Sequence, residues 1–337
     1  MSRAKEAVAR GLLEQYAPVL RFHESEPLRA DSPAIMSDAV LEGGWGARLV
    51  DGEGTVLASA APTAGTDVLS LDYLGDPYAD GGDAEGSHRI VTAAEKPDRV
   101  ADMMRSSRPE LADRVFAQAV QEGKKGRVWL QYWLFYYFND KGIEGIGDHE
   151  GDWEMVQIGL DSEYRPECAA FAQHKYGERR EWDDVRKLDD DEGPPIVWVA
   201  LGSHASYFRP GHYRIKGAPA IDHATGDERI EVRPAVERLD ESVRWLRWPG
   251  RWGAEGGPDG PLQHRQYLKP DSWYRSKSVH TERRWRWGKL YLAAPAARPP
   301  EPRRLTARQV EGAVEVEWEL EPLRPRDPNV PVRAVVS

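Results

Sequence analysis

Cysteine is almost absent: Cys168 is the only one in 337 residues. That excludes an intramolecular disulfide and every multi-cysteine zinc site. Long apolar runs are missing too, and no segment approaches the ~20 residues a helix needs to span a bilayer. Positive charge is in deficit, with 46 Lys and Arg against 56 Asp and Glu and a formal net charge of −10. The chain therefore lacks the basic footprint that grips nucleic acid. Its opening, MSRAKEAVARGLLEQYAPVL, has neither the apolar core nor the small-residue cleavage pattern of a signal peptide. A cytoplasmic protein with no transmembrane segment is the expectation, although non-classical export would leave the same residues. Oligomeric state leaves no trace in the sequence.

What is present reads as mainly β with α insertions. Residues 3–16 set Ala7, Leu12, Leu13 and Tyr16 at helical spacing among charges. Residues 93–122 predict two helices broken near Ser107-Arg108-Pro109, because proline disfavours helix at the residue before it. Residues 75–87 (GDPYADGGDAEGS) are an acidic turn-rich loop that fails the EF-hand pattern at Tyr78 and Ser87. From Val128 the run VWLQYWLFYYF is apolar on both alternating faces, the mark of a strand covered on two sides. DWEMVQIGLD, ECAAFAQH and PPIVWVALGSHASYF follow, each short, β-branched or aromatic, and bounded by Gly, Pro or Asp. Their short connections predict an antiparallel β-sandwich.

Residues 181–195 read as an acidic loop, 236–248 as a short helix, and RWGAEGGPDGPLQH as a Gly/Pro-rich loop. The stretch 275–290 interleaves Arg and Lys with Trp; a solvated basic face is the simpler reading, an anionic partner the other. V-E-V-E-W alternation near the end resembles the opening of a fibronectin type III domain, but only about forty residues remain, too few for that sandwich. The expected organisation is a sandwich domain over 1–300, with a helical insertion at about 60–122, and a C-terminal β extension over 301–337.

The densest chemistry lies in GDHEGDWE, residues 147–154. On a strand, Asp152 and Glu154 project from one face, roughly 7 Å apart at the backbone, while Trp153 and Met155 point into packing. His149, on the turn before, can add a nitrogen ligand. Asp140 ends the preceding apolar strand, and a hairpin would return it to the same end. One imidazole and up to three carboxylates suit Mg²⁺, Mn²⁺ or Ca²⁺ better than a structural Zn²⁺. A D-x-E pair on a strand edge is more often a solvated rim than a ligand set. Asp148 and Glu150 are expected to be solvated loop positions.

His174 and His204 each close an apolar strand beside small residues, and His212 follows closely. In the right register these ends gather at one rim of the sandwich, although each histidine alone is more simply a structural residue. Other chemistry fares worse. Cys168 and His174 stand roughly 20 Å apart along one extended strand, too far for a Cys–His couple. Ser203 lacks the G-x-S-x-G elbow, and GIEGIG at 142–147 lacks the dinucleotide spacing.

YAPVLRFHESE, YWLFYYFND, GDHEGDWE, FAQHKYGERREW, VWVALGSHASYFRPGHY and PGRWG…GPDGP, in that order, resemble the Vps62-like family (vacuolar protein sorting-associated protein 62) of fungi, plants and bacteria. The resemblance covers roughly residues 16–27 and 128–262 and implies no transferable activity. YYFND…GDHEGDWE is more distantly similar to the NPP1-type necrosis-inducing proteins, whose signature is G-H-R-H-D-W-E. Their second His is Gly151 here, and the Gly before their first His is Asp148. That resemblance implies a divalent cation surrounded by Asp140, His149, Asp152 and Glu154 at one rim of a β-sandwich. It also implies binding to glycosylated membrane lipids.

Two functions compete. In the first, a metal-dependent hydrolase cleaves a polar phosphoester or glycan-like substrate, with metal-activated water and with His174 and His204 as general base and acid. In the second, the ion bridges to a glycan or lipid head group without turnover. A sandwich whose polar cluster merely ties loops together is the third, structural possibility.

Overall fold

The computed structural model describes residues 3–37, 47–60, 62, 64–71, 74, 88–92, 97–122, 127–140, 148–189, 193–215, 220–240, 242–254, 257–281, 302–310, 313–320 and 332–336. The acidic loop 75–87, the run 142–147 and the 282–290 half of the basic stretch lie outside the described residues. The chain divides into two units, Met1–Arg284 and Trp285–Ser337, where the sequence reading divided it at 300.

In the first unit the helix Arg3–Gln15 precedes β1 (Val19–Arg21), β2 (Arg48–Val50), β3 (Val56–Ser59), β4 (Asp67–Val68) and β5 (Arg89–Val91), then the helix Pro97–Ser107. Long strands follow: β6 (Arg114–Glu122), β7 (Arg127–Asn139), β8 (His149–Leu160), β9 (Pro166–Gln173) and β10 (Tyr176–Glu181). Shorter ones complete the unit: β11 (Ile196–Val199), β12 (Ser206–Tyr207), β13 (Gly211–Arg214), β14 (Ile221–Ala224), β15 (Glu231–Val232), β16 (Ala235–Arg238) and β17 (Val279–His280). The second unit is a three-stranded antiparallel sheet of β18 (Pro302–Val310), β19 (Ala313–Leu320) and β20 (Val332–Val336).

The fold is β-rich with helical insertions. Its centre is a seven-stranded sheet in the order β16-β6-β7-β8-β9-β10-β17. Strands β6 to β10 form an antiparallel meander, as the short connections require, whereas the flanking β16 and β17 join in parallel. The alternation within β7 explains the layering. Leu130, Tyr132, Leu134 and Tyr136 face a core shared with Leu20 and Phe22 of the β1 segment and Val197 and Val199 of β11. These belong to a second sheet, β12-β11-β1-β15, so this half is a sandwich. Trp129, Trp133, Phe135 and Tyr137 face the opposite way, into a core with Trp153, Trp245, Trp248, Trp252 and Trp273. Burying one large apolar side chain contributes about 1.5–3 kcal/mol, and here both faces of the central sheet are buried.

Two helical expectations are corrected. The second helix of 93–122 is the strand β6, whose Val115 and Ala117 enter one core while Phe116 enters the other. Its Ala, Gln and Glu content favours helix, but pairing with β7 along seven residues overrides that weak preference. Residues 236–248 hold the end of β16 and a 3₁₀ turn, Arg244–Arg247, that delivers Trp245 to the aromatic core. Among the described residues no helix is long and apolar enough to cross a membrane.

Candidate functional site

The β7–β8 register pairs Asn139 with His149 and Tyr136 with Asp152. Asp152 and Glu154 therefore share the face of Val156 and Ile158, inside the sandwich, while Trp153 and Met155 enter the tryptophan core. Both carboxylates are buried, at 6% and 4% exposure.

A carboxylate so deep needs a counter-charge, and His204 supplies it. Its imidazole is fully buried, with Nδ1 3.0 Å from Asp152 Oδ2 and Nε2 3.6 Å from Glu26 Oε1. The second distance is too long for a hydrogen bond, so Glu26 acts there as an ion-pair partner. The ring lies flat on Tyr136, with centroids 3.9 Å apart and planes within 4°. Burial pushes the His204 pKa down, but the charge of Glu26 and the bond to Asp152 outweigh it and raise it to about 9. The same contacts hold both acids below the usual carboxylate range against their own burial. At neutral pH the group is a buried carboxylate–imidazolium–carboxylate chain. Asn139 Nδ2 adds a bond to Asp152 (3.1 Å), and the amides of Gly202 (2.6 Å) and Leu28 (3.0 Å) donate to Glu26.

Local backbone geometry places His204. The turn Leu201–His204 carries two residues at positive φ, Gly202 (+70°) and His204 (+51°). A Cβ on Gly202 would lie 1.6 Å from the carbonyl oxygen of Asp140, whose own amide donates to the Gly202 carbonyl. Only glycine permits that approach. The left-handed conformation at His204 costs about 1–2 kcal/mol, and the ion pairs offset it.

His149 is half-buried, and its Nδ1 lies 2.7 Å from the Gly151 carbonyl. A carbonyl can only accept, so Nδ1 carries a proton, and in a neutral ring Nε2 would then be the lone pair a metal ligand uses. His149 also acts electrostatically on Asp152. Asp140 is exposed beside the same hairpin end. The buried side-chain oxygen of Asn139 and the hydroxyl of Tyr136 have no hydrogen-bond partner among the described residues. Carboxylates, an amide oxygen and one imidazole are donors suited to a hard divalent cation. Among the described residues, however, no three His, Cys, Asp or Glu side chains are grouped closely enough to hold an ion.

His174 belongs to a neighbouring cluster. Its Nε2 lies 2.9 Å from Asp222 Oδ2, and Asp222 also accepts from Ser203 Oγ at 2.6 Å and from the Tyr207 hydroxyl. Ser203 and His174 both bond the carboxylate rather than each other, so no nucleophile–base pair forms. His212 is elsewhere again, on the β13–β14 hairpin opposite His223. The three histidines thus occupy three settings, joined through the chain at 203–204 and 222–223.

Glu150, expected in solvent, is half-buried and accepts from the amides of Thr92 (3.3 Å) and Ala254 (2.9 Å). It ties the start of β8 to Thr92, just after β5, and to Ala254, just after PGRWG. Gly151 serves the same junction: it sits at φ +63°, and a Cβ there would meet the Trp252 carbonyl oxygen at 2.0 Å. Sequence reasoning missed Glu26, Asn139, Tyr136 and Asp222. Glu26 and Asn139 lie inside stretches that carried the family resemblance, YAPVLRFHESE and YWLFYYFND, which was the available signal.

No family model matches the chain, and no curated protein matches it. Among solved structures it is similar to NLPPya in complex with glucosamine, at 11% identity and TM-score 0.31, covering 68% of this chain and 73% of that one. It is similar to a structure described as "Toxin fold for microbial attack and plant defense", at 10% and 0.33, covering 83% and 85%. A third is Necrosis and Ethylene inducing Protein 2 from the causal agent of cocoa's Witches Broom disease, at 12% and 0.29, covering 67% and 72%. That last protein is of the type the heptapeptide resembles. The Vps62-like resemblance rests on sequence motifs alone.

Proposed function

We propose that the chain is a non-enzymatic binding protein for a glycan or lipid head group, and that Asp140, His149, Asp152 and Glu154, which are not grouped as an ion site in this structure, draw together around a divalent cation that bridges to the ligand. The observation that carries this reading is the burial of His204 between Asp152 and Glu26. A general base needs a free lone pair near working pH, and this imidazole is doubly engaged and protonated at pH 7. His174 is likewise committed to Asp222. His204 therefore serves as a counter-charge and His174 as a hydrogen-bond partner of a buried carboxylate, so neither is free as a general base. The hydrolase reading has no such support.

A bound Mg²⁺, Mn²⁺ or Ca²⁺ would offer open coordination positions to hydroxyl or phosphate oxygens. The chain's own part is to hold Asp152 rigid through His204 and Asn139, to keep the Nε2 lone pair of His149 available, and to fix Asp140 through Gly202. The buried amide oxygen of Asn139 supports an oxygen-rich site at this end.

The test is calorimetric titration of metal-stripped full-length protein with Ca²⁺, Mg²⁺ and Mn²⁺, then glycan and glycolipid-vesicle binding with and without the ion. Binding that requires metal and is lost in Asp152→Asn and Glu154→Gln supports the proposal. Metal-dependent turnover of a phosphodiester or glycoside that disappears in His204→Gln would replace it with the hydrolase reading. Absence of metal uptake would remove the premise of both.

A further inference from the structure

The β13–β14 hairpin carries a feature that the rim site does not use. His212 and His223 are directly opposed across the two strands, and both are exposed. Their Nδ1 atoms stand 2.7 Å apart, with ring centroids at 4.8 Å and planes at 75°. On the other face of β14, Asp222 and Ala224 are buried, so the His223 ring projects outward from a well-anchored strand. The hairpin itself is held in place. Tyr213 stacks on Tyr207 at 3.9 Å, its hydroxyl donates to the Arg209 carbonyl, and the Leu201 amide donates to the His223 carbonyl.

From this geometry we infer that His212 and His223 form a two-imidazole chelate for a borderline transition-metal dication, Cu²⁺, Ni²⁺ or Zn²⁺, with water completing the shell. An exposed imidazole–imidazole hydrogen bond contributes little to folding in water. As ligands, however, two nitrogens on a rigid scaffold are already almost in position. At metal–nitrogen distances of about 2.0–2.1 Å, two ligands at 90–110° stand roughly 2.9–3.4 Å apart. The nitrogens need to part by about 0.2–0.7 Å, and both rings must turn so that their Nδ1 lone pairs converge on the ion rather than on each other, which exposed side chains can do. The proton shared between the two Nδ1 atoms moves to the Nε2 of its own ring by way of water. Both Nδ1 atoms become ligands, and no proton is lost overall.

This site differs in kind from the carboxylate rim. Imidazole selects borderline ions in the order Cu²⁺ above Ni²⁺ and Zn²⁺, whereas oxygen donors select Ca²⁺, Mg²⁺ and Mn²⁺. Among the described residues no third His, Cys, Asp or Glu completes a protein-only set, so the two histidines carry the protein's share of the affinity.

The experiment uses untagged, metal-free full-length protein and competition for Cu²⁺ and Zn²⁺ against a chromogenic chelator, with electron paramagnetic resonance of the Cu²⁺ complex. The expected result is one strong Cu²⁺ equivalent showing two imidazole nitrogens. Affinity should fall on the order of tenfold or more in His212→Ala and in His223→Ala, with Cu²⁺ held more tightly than Zn²⁺ in the wild type. Asp152→Asn, which alters the rim, should leave this binding unchanged. Wild-type affinity in both histidine variants would overturn the inference. So would a loss that follows Asp152→Asn instead. Both positions are exposed, and conservative His212→Asn and His223→Gln variants give the same readout if either alanine variant is poorly expressed.

Discussion

At the residue scale the controlling object is a charge chain, Asp152–His204–Glu26, that turns a histidine in the β11–β12 turn into a buried cation. Its pH dependence follows from the sign of the displacement. The folded-state pKa of His204 is raised from 6.5 to about 9, so its stabilisation is complete below about pH 6.5 and is lost as pH rises through 9. Urea denaturation of metal-free protein should give a midpoint that falls between pH 6.5 and 9.5, by the equivalent of a few kcal/mol. His204→Gln should flatten that slope, and an equally steep slope in the variant would show the charge to lie elsewhere. Gly151 offers a second check. Any side chain there meets both a positive φ and the Trp252 carbonyl, so Gly151→Ala should cost about 2 kcal/mol or more in chemical denaturation. A neutral result would mean that the PGRWG loop moves aside freely.

At the scale of elements, the long strands were the most legible part of the chain. The two-faced run in β7 and the D-x-E alternation in β8 reflect burial on both sides, which composition and period 2 reveal directly. Strand β6 was hidden because Ala, Gln and Glu favour helix, and only its neighbour β7 dictates otherwise. The same strands carry a buried amide ladder. Gln118 donates to Gln131 at 2.7 Å, and Gln131 donates to Gln157 at 3.2 Å and to the Gln266 carbonyl; Gln157 donates to the Pro270 carbonyl at 3.2 Å. This ladder fastens the short helices Arg265–Leu268 and Pro270–Tyr274 to the central sheet. Replacing its middle member, Gln131→Leu, strands buried groups on both sides, each of which costs about 1–3 kcal/mol unpaired. The variant should unfold at clearly lower urea and expose Trp273 to quenching; unchanged fluorescence and midpoint would deny the ladder its role.

For the whole molecule, the chain parts into Met1–Arg284 and Trp285–Ser337. Both sheets of the sandwich and every residue of the rim and hairpin sites lie in the first unit. A protein ending at Arg284 should therefore unfold in one cooperative transition and keep the His212–His223 copper binding of the full chain. Loss of either would show that residues 285–337 complete the first unit rather than follow it.

By itself, the sequence determined which segments are covered on both faces, which residues of GDHEGDWE point the same way, and which chemistries are excluded. Those properties depend on local alternation and on composition. Tertiary structure alone decided that Glu26, 126 positions before Asp152, closes on His204 and makes it a cation, that Glu150 is a staple, and that His174, His204 and His212 part company. Those outcomes depend on strand register and on a turn held at positive φ. Register follows from the packing of two sheets against each other, which no short window of residues contains.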